Sequence, residues 1–134
     1  MIANQVIDIL NKYRIDAGGP VLLVACSGGP DSMAFFHILI KAGYKIALAH
    51  VNYNLRGADS NKDEALVKEF ADSMNIKLHS LSVDKNNSDK TNDSLQMWAR
   101  KIRYRFFDDI LSNHNYDYCL TAHHLDDQIE TLFL

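Results

Sequence analysis

The sequence has few features that would place the protein in a membrane or outside the cell. It has only two cysteines, Cys26 and Cys119, which lie far apart within apolar stretches, and it begins without the charged and then apolar segment of a secretory leader. Its apolar runs are much shorter than the ~20 residues that a transmembrane helix needs. We therefore expect a soluble protein of the reducing cytoplasm, with no membrane partner.

A surplus of basic residues is also missing. Lys and Arg number 14 against 17 Asp and Glu, which gives a formal net charge of -3. Nucleic-acid-binding domains usually carry a basic surplus, so any contact with a polynucleotide must be local or lie outside the chain. With 134 residues and 47% hydrophobic content, residues 1–134 have the size of one compact domain with a real core.

Hydrophobic periodicity predicts helices and strands in alternation. We predict strands over 21–26, 45–51, 76–83 and 116–122, and helices before the Gly-Pro stretch at 17–20, from Pro30 to Gly43, and over 60–74, 95–110 and 124–134. Ser60 and Asp63 resemble a capping box, and the polar residues 84–93 indicate an exposed loop. The alternation predicts an α/β fold, a parallel twisted sheet with helices on both faces. Because the last helix has no stop signal, we expect the sheet to be incomplete at its C-terminal end.

A glycine-rich turn follows the first predicted strand and leads into a helix. It consists of Ser27, Gly28, Gly29, Pro30, Asp31 and Ser32. Free N–H groups and the helix dipole favour phosphate at such a position, and glycines let the chain approach it closely. The lysine followed by Ser or Thr of a Walker-type loop is missing. An ordinary glycine-rich turn with a capping aspartate is the structural alternative.

A second group of polar residues lies where the predicted strand 116–122 meets the predicted last helix. If that helix begins near Asp126, then Asp127 and Glu130 share one face, with His123 just before them. Two carboxylates facing a phosphate site suit Mg²⁺, and the histidine could orient phosphate or transfer a proton. Acidic residues that only complement the helix dipole, and a structural histidine, are the alternatives.

A local basic patch lies on the helix predicted over 95–110. Arg100 and Arg103 are three residues apart, so they can point the same way and clamp a phosphate. A solvated helix face with cationic side chains is the alternative.

The spelling S-G-G-x-D-S after a buried strand resembles the pyrophosphate-binding loop of the PP-loop, or N-type ATP pyrophosphatase, group. Together with the segments 50–57 (His-Val-Asn-Tyr-Asn-Leu-Arg-Gly), 99–104 (Ala-Arg-Lys-Ile-Arg-Tyr) and 122–131, it is similar to the tRNA(Ile)-lysidine synthetase family. The resemblance covers nearly the whole chain. It implies an adenine nucleotide alpha hydrolase-like, Rossmann-like fold, and family members are considerably longer, with tRNA-binding regions downstream.

The resemblance also implies a reaction. A carbon–nitrogen ligase would use ATP and Mg²⁺ to adenylate the wobble cytidine of tRNA(Ile) with the anticodon CAU, and free lysine would then displace AMP to give lysidine. A homodimer is left open. The residues implied to be catalytic are Asp31, Arg103, His123, Asp127 and Glu130, with Asp31, Asp127 and Glu130 near Mg²⁺. Those implied to hold the nucleotide are Ser27, Gly28, Gly29, Pro30, Asp31, Ser32 and Arg100.

Three other functions compete with this interpretation. A tRNA cytidine thiolase uses the same loop, but it would be expected to carry a C-x-x-C pair, which Cys26 and Cys119 cannot supply. GMP or asparagine synthetases would lack the segments at 99–104 and 122–131. A nucleotide-binding module without catalysis would not need the acid-rich set.

Overall fold

The computed structural model describes residues 8, 10–12, 14–26, 30–54, 58–83, 95–124 and 128–133. Its elements are β1 (Leu22–Cys26), α1 (Pro30–Lys41), β2 (Ile46–Asn52), α2 (Ala58–Ser73), β3 (Leu78–Ser82), α3 (Leu95–His114), β4 (Tyr118–His124) and β5 (Gln128–Phe133). Ahead of β1, Asp8 and residues 10–12 are helical. None of the helices in the described ranges is long and apolar enough to cross a membrane.

The strands form one sheet in the order β3-β2-β1-β4-β5. The first four are parallel, and β5 runs antiparallel to β4. The register pairs Cys26 with His50 and Ala25 with Thr121, so β1, β2 and β4 end at the same edge. The predicted parallel sheet is confirmed.

Helices cover both faces of the sheet, as predicted. β1 is apolar throughout because its successive side chains point to opposite faces and both are buried. On one face Leu22 and Val24 pack in a cluster with Phe36 of α1 and residues of α2. On the other face Leu23 packs in a cluster with Phe107 of α3.

The helices end at residues with positive φ. These are Arg14 (58°), Gly43 (91°), Asn75 (54°) and Asn115 (57°). A backbone N–H just beyond each one bonds back to the last turn, as from Tyr44 to Leu39 O at 3.1 Å. Gly and Asn adopt this left-handed conformation most readily. The first helical segment therefore ends at Arg14, earlier than the stretch 17–20 that the sequence suggested.

Two local predictions are wrong. Residues 128–133 form β5 instead of continuing a helix, because pairing with them satisfies the N–H and C=O groups on the outer side of β4. Helix α2 begins at Ala58, so Ser60 lies inside the helix and cannot be its N-cap. The loop predicted over 84–93 lies outside the described residues.

Candidate functional site

The strand order creates a switch point between β1 and β4. From β1 the chain moves outward through β2 to β3, and α3 then carries it across to β4 on the opposite side of β1. In open parallel sheets, ligands bind beyond the carboxyl ends of the strands at such a point. The candidate site is therefore the carboxyl edge of the sheet, the edge where β1 leads toward α1 and β4 leads toward β5.

The predicted phosphate turn lies at this point of the fold. Ser27, Gly28 and Gly29 are outside the described residues, whereas Pro30, Asp31 and Ser32 form the first turn of α1. Pro30 suits a first helical position because an N–H there would have no partner in the helix. The buried strand and the helix start that flank a phosphate turn are thus both present.

The acidic group is placed differently from the prediction. His123 belongs to β4, and Glu130 belongs to β5, where its Cα pairs with that of Thr121. Asp127 lies outside the described residues. The prediction that Asp127 and Glu130 share a helix face is wrong, because Glu130 lies on a strand. β5 nevertheless carries Glu130 back along β4, close to the carboxyl edge.

Among the described ranges, no three His, Cys, Asp or Glu side chains cluster in a way that could hold a metal ion. The structure describes no side chain of Asp31, Asp127 or Glu130, so the magnesium site stays a prediction.

Arg103 lies beside the carboxyl end of β2. Its guanidinium is close enough to Tyr53, which follows β2, to act on the pKa of the phenol: burial raises this pKa, while the charge and hydrogen bond of Arg103 oppose the increase. Arg100 and Arg103 both contact the ring of Tyr104, with guanidinium carbons 4.8 and 5.7 Å from its centroid. The two arginines thus share one region of α3, as expected from their spacing.

Tyr53 ties α3 to this edge. Its hydroxyl donates a hydrogen bond to the carbonyl of Ala99 at 3.0 Å, and its ring lies 6.0 Å from that of Trp98. Trp98 is buried. The N-terminal half of α3, which carries both arginines, is therefore held against the end of β2.

Three polar residues, His50, Asn52 and Asn54, connect the strand ends, although local sequence patterns indicate no structural role for them. His50 is hydrogen-bonded through Nδ1 to Cys26 O at the end of β1, at 2.9 Å. The side-chain amide of Asn54 donates two hydrogen bonds at the end of β3, one to Ser82 Oγ at 3.1 Å and one to the carbonyl oxygen of Val83 at 2.8 Å. The signal in the sequence was the spacing: His50, Asn52 and Asn54 alternate at the end of an apolar strand.

Asn52 connects the same strand end to α2. It is buried, and its amide donates to Glu64 Oε2 at 2.7 Å and to Asn61 Oδ1 at 3.1 Å. Its own Oδ1 accepts the N–H of Asn54 at 2.9 Å. Every polar atom of the Asn52 side chain is thereby used.

Neither cysteine supplies a reactive thiol at this edge. Cys26 and Cys119 are free and buried. Burial raises the pKa of each thiol to about 12, and for Cys119 the charge of Asp108 adds to the effect. Since the thiolate is the nucleophile, both side chains are inert near neutral pH.

Several bacterial proteins are similar in sequence to this chain over most of its length. It is 38% identical over 135 residues to a tRNA(Ile)-lysidine synthase of Clostridium perfringens, covering 97% of the chain and 29% of that protein. The enzyme of the same name from Mesoplasma florum is 45% identical over 113 residues, covering 84% of the chain and 28% of the relative. The Bacillus subtilis protein is 37% identical, with 95% and 28% covered. The chain thus spans less than a third of these relatives.

Solved structures share the fold. The NMN synthetase of Francisella tularensis superposes with a TM-score of 0.60 at 13% identity, covering 90% of this chain and 51% of that one. The NH3-dependent NAD synthetase of Campylobacter jejuni, in complex with nitrate, gives 0.60 at 15% identity, with 90% and 53% covered. At such identities the likeness concerns the fold alone.

A family model described as a PP-loop domain matches residues 2–134. This match agrees with the resemblance of the turn at 27–32 and with the parallel sheet that has its switch point beside that turn. The chain belongs to the PP-loop domain family.

Proposed function

We propose that this chain is the N-terminal part of a tRNA(Ile)-lysidine synthase. The similarity to enzymes of that name over 84–97% of the chain carries the proposal. Because the chain covers only 28–29% of those relatives, the complete protein would supply the rest of the sheet and most of the tRNA contacts. Residues 1–134 would belong to a single nucleotide-binding domain in the cytoplasm.

The switch point supports a nucleotide site at the carboxyl edge. ATP would bind with its phosphates at the start of α1, where free N–H groups and the helix dipole stabilise negative charge. Ser27, Gly28, Gly29 and Ser32 would hold the pyrophosphate part. Arg103, held beside Tyr53 at the neighbouring strand end, would face the same edge and stabilise phosphate charge.

The reaction would proceed in two displacements. In the first, the C2 oxygen of the wobble cytidine attacks the α-phosphorus of ATP, and pyrophosphate leaves with the bonding electron pair. In the second, the ε-amine of lysine attacks C2, the C2–O bond breaks, and AMP leaves. Adenylation is needed because the C2 oxygen of cytosine is a poor leaving group until it becomes part of an AMP ester.

Three acidic residues would hold the cation, and a histidine would act on a phosphate or on the attacking amine. Oxygen ligands suit Mg²⁺, and carboxylates would be supplied by Asp31 in the first turn of α1, by Glu130 of β5 and by Asp127. Mg²⁺ that arrives with ATP would neutralise phosphate charge. His123, near the end of β4, could orient a phosphate or accept a proton from the attacking amine.

Cys26 and Cys119 are unsuited to the chemistry of a thiolase. Such an enzyme needs an accessible thiolate, and both thiols here are buried with pKa values raised to about 12. A non-catalytic ATP-binding module remains the second candidate.

Labelled-lysine incorporation tests the proposal on the natural full-length protein that carries this sequence. We expect ATP-dependent incorporation into a tRNA(Ile) transcript with the anticodon CAU and none into a matched transcript with GAU, because guanosine at the wobble position replaces the cytidine that is modified. ATP binding without pyrophosphate exchange or lysine incorporation would refute the enzyme and favour the binding module.

A further inference from the structure

His50 carries a buried hydrogen-bonding atom that no described residue pairs with. The residue is 3% exposed and lies in β2, paired in register with Cys26 of β1. Its Nε2 has no hydrogen-bond partner among the described residues. A buried polar atom left unpaired is destabilising, and most such atoms in folded proteins have a partner.

The other ring nitrogen identifies the tautomer. Nδ1 lies 2.9 Å from Cys26 O. A carbonyl oxygen can only accept, so Nδ1 must carry the proton and donate it. In the neutral ring Nε2 is then a bare acceptor. For the neutral ring, the missing partner must therefore be a donor.

The position of His50 connects this acceptor to the nucleotide site. Its anchor, Cys26, is the last residue of β1, and only residues 27–29 separate it from α1. Along β2, His50 shares the face of Ile46 and Leu48, which pack in the same cluster as Phe35 and Phe36 of α1. The imidazole therefore lies at the end of the strand that leads into the phosphate turn, on the side of the helix that follows it.

We propose that His50 is a positioning residue of the nucleotide site, whose Nε2 accepts a hydrogen bond formed when ATP binds. The Nδ1–H bond to Cys26 fixes the end of β1, and the bond at Nε2 stabilises the bound arrangement. The inference rests on the proposed ATP site and adds to it a residue to which no role has been assigned. The donor is an N–H or O–H group, supplied either by the nucleoside or by protein groups that move as the phosphates bind.

Nitrogen NMR of the imidazole tests the proposal in the intact protein. We expect saturation with MgATP to shift the resonance of the unprotonated Nε2 while the Nδ1–H resonance stays nearly unchanged. Tripolyphosphate and adenosine, added separately, distinguish the two sources. A shift with tripolyphosphate, which lacks the nucleoside, identifies a protein donor, whereas a shift with adenosine alone identifies the nucleoside.

A matched pair of variants separates the two ring nitrogens. In His50→Asn the amide can replace the Nδ1 donor but has no group at the position of Nε2, so we expect ATP to bind about tenfold more weakly. His50→Gln reaches the position of Nε2 and should recover part of that loss. Thermal unfolding of both variants shows whether the fold is kept.

The outcomes distinguish this inference from the proposed function. If calorimetry shows that the unchanged protein binds ATP while the Nε2 resonance stays in place, or if a folded His50→Asn variant binds as tightly as the unchanged protein, His50 has no such role. If the unchanged protein does not bind ATP at all, the proposed function is wrong and the role of His50 is overturned with it.

Discussion

Replacing Asn52 with Asp changes one buried atom at the candidate site. The amide nitrogen that donates to Glu64 Oε2 at 2.7 Å and to Asn61 Oδ1 at 3.1 Å becomes a carboxylate oxygen. The bond that Asn52 Oδ1 accepts from the N–H of Asn54 is kept. The variant therefore preserves the shape of the side chain and converts two attractive contacts into contacts between acceptors.

The expected cost follows from those contacts. The bond to neutral Asn61 contributes about 1 kcal/mol and the bond to the Glu64 carboxylate about 1.5–3 kcal/mol. Two carboxylates separated by about 4 Å near a protein surface repel by up to about 4 kcal/mol. We therefore expect Asn52→Asp to lower the free energy of unfolding by at least about 3 kcal/mol at about pH 7. In acid, where the two carboxyls of the variant can share a proton, part of the loss should be recovered.

Urea unfolding measures this cost, and Trp98, the single tryptophan of the chain, reports it by fluorescence because it is buried near the same strand end. Asn52→Ala is the matched control, since it removes the same donor without adding charge and should show no comparable recovery in acid. If Asn52→Asp is as stable as the unchanged protein at about pH 7, or if both variants respond alike to acid, then Asn52 does not pair with Glu64 as described.

Three further predictions concern other parts of the fold. Burial raises the pKa of Cys26 to about 12 from its ordinary value of 9.0, so above about pH 9 the unfolded chain loses a proton that the folded protein keeps. Between about pH 9 and pH 11, the free energy of unfolding of the unchanged protein should therefore fall with pH more steeply than that of Cys26→Ala, by about 1.4 kcal/mol per pH unit. Urea titrations at several pH values measure both dependences. If the two proteins show the same dependence on pH, the thiol of Cys26 ionises within the folded protein. Arg103→Lys should lower the rate of ATP–pyrophosphate exchange about tenfold or more, because an ammonium cannot make the bidentate contact of a guanidinium. Arg105 is exposed, and the control variant Arg105→Lys should keep a rate near that of the unchanged protein. Equal rates for the two variants would show that Arg103 is not part of the site. Asn115, with φ of 57°, should lose about 1 kcal/mol of stability on replacement by Ala but little on replacement by Gly, as measured by thermal unfolding; equal loss for both would contradict a left-handed cap there.

The parallel sheet could be predicted from the sequence because its signals are local. β1 is apolar at every position, since both of its faces are buried, and the glycines and Pro30 after it mark the change to a helix. The same type of signal located α1 and α3 within a few residues. Arg100 and Arg103 could be paired from their spacing because α3 is a regular helix.

Residues 128–133 could not be assigned in this way. The acidic residues after His124 are typical of a helix start, and six residues with Ile129, Thr131 and Phe133 at alternate positions fit a strand equally well. Pairing with β4 decides between them, and that partner is supplied by the tertiary structure. Local patterns therefore predict the elements that lead into the site more reliably than they predict the site itself.

The partners of His50, Asn52 and Asn54 also could not be predicted from local patterns. Polar residues at the end of an apolar strand indicate only that the strand is ending, because their partners, on β1, α2 and beyond the end of β3, are distant in sequence. Once the parallel register brings these partners together, each side chain fastens β2 to a different neighbour. Side-chain hydrogen bonds thus stabilise the carboxyl edge in addition to the backbone hydrogen bonds of the sheet. Apolar residues at these three positions could fill the core but could not make these bonds, which gives a reason for an imidazole and two amides there.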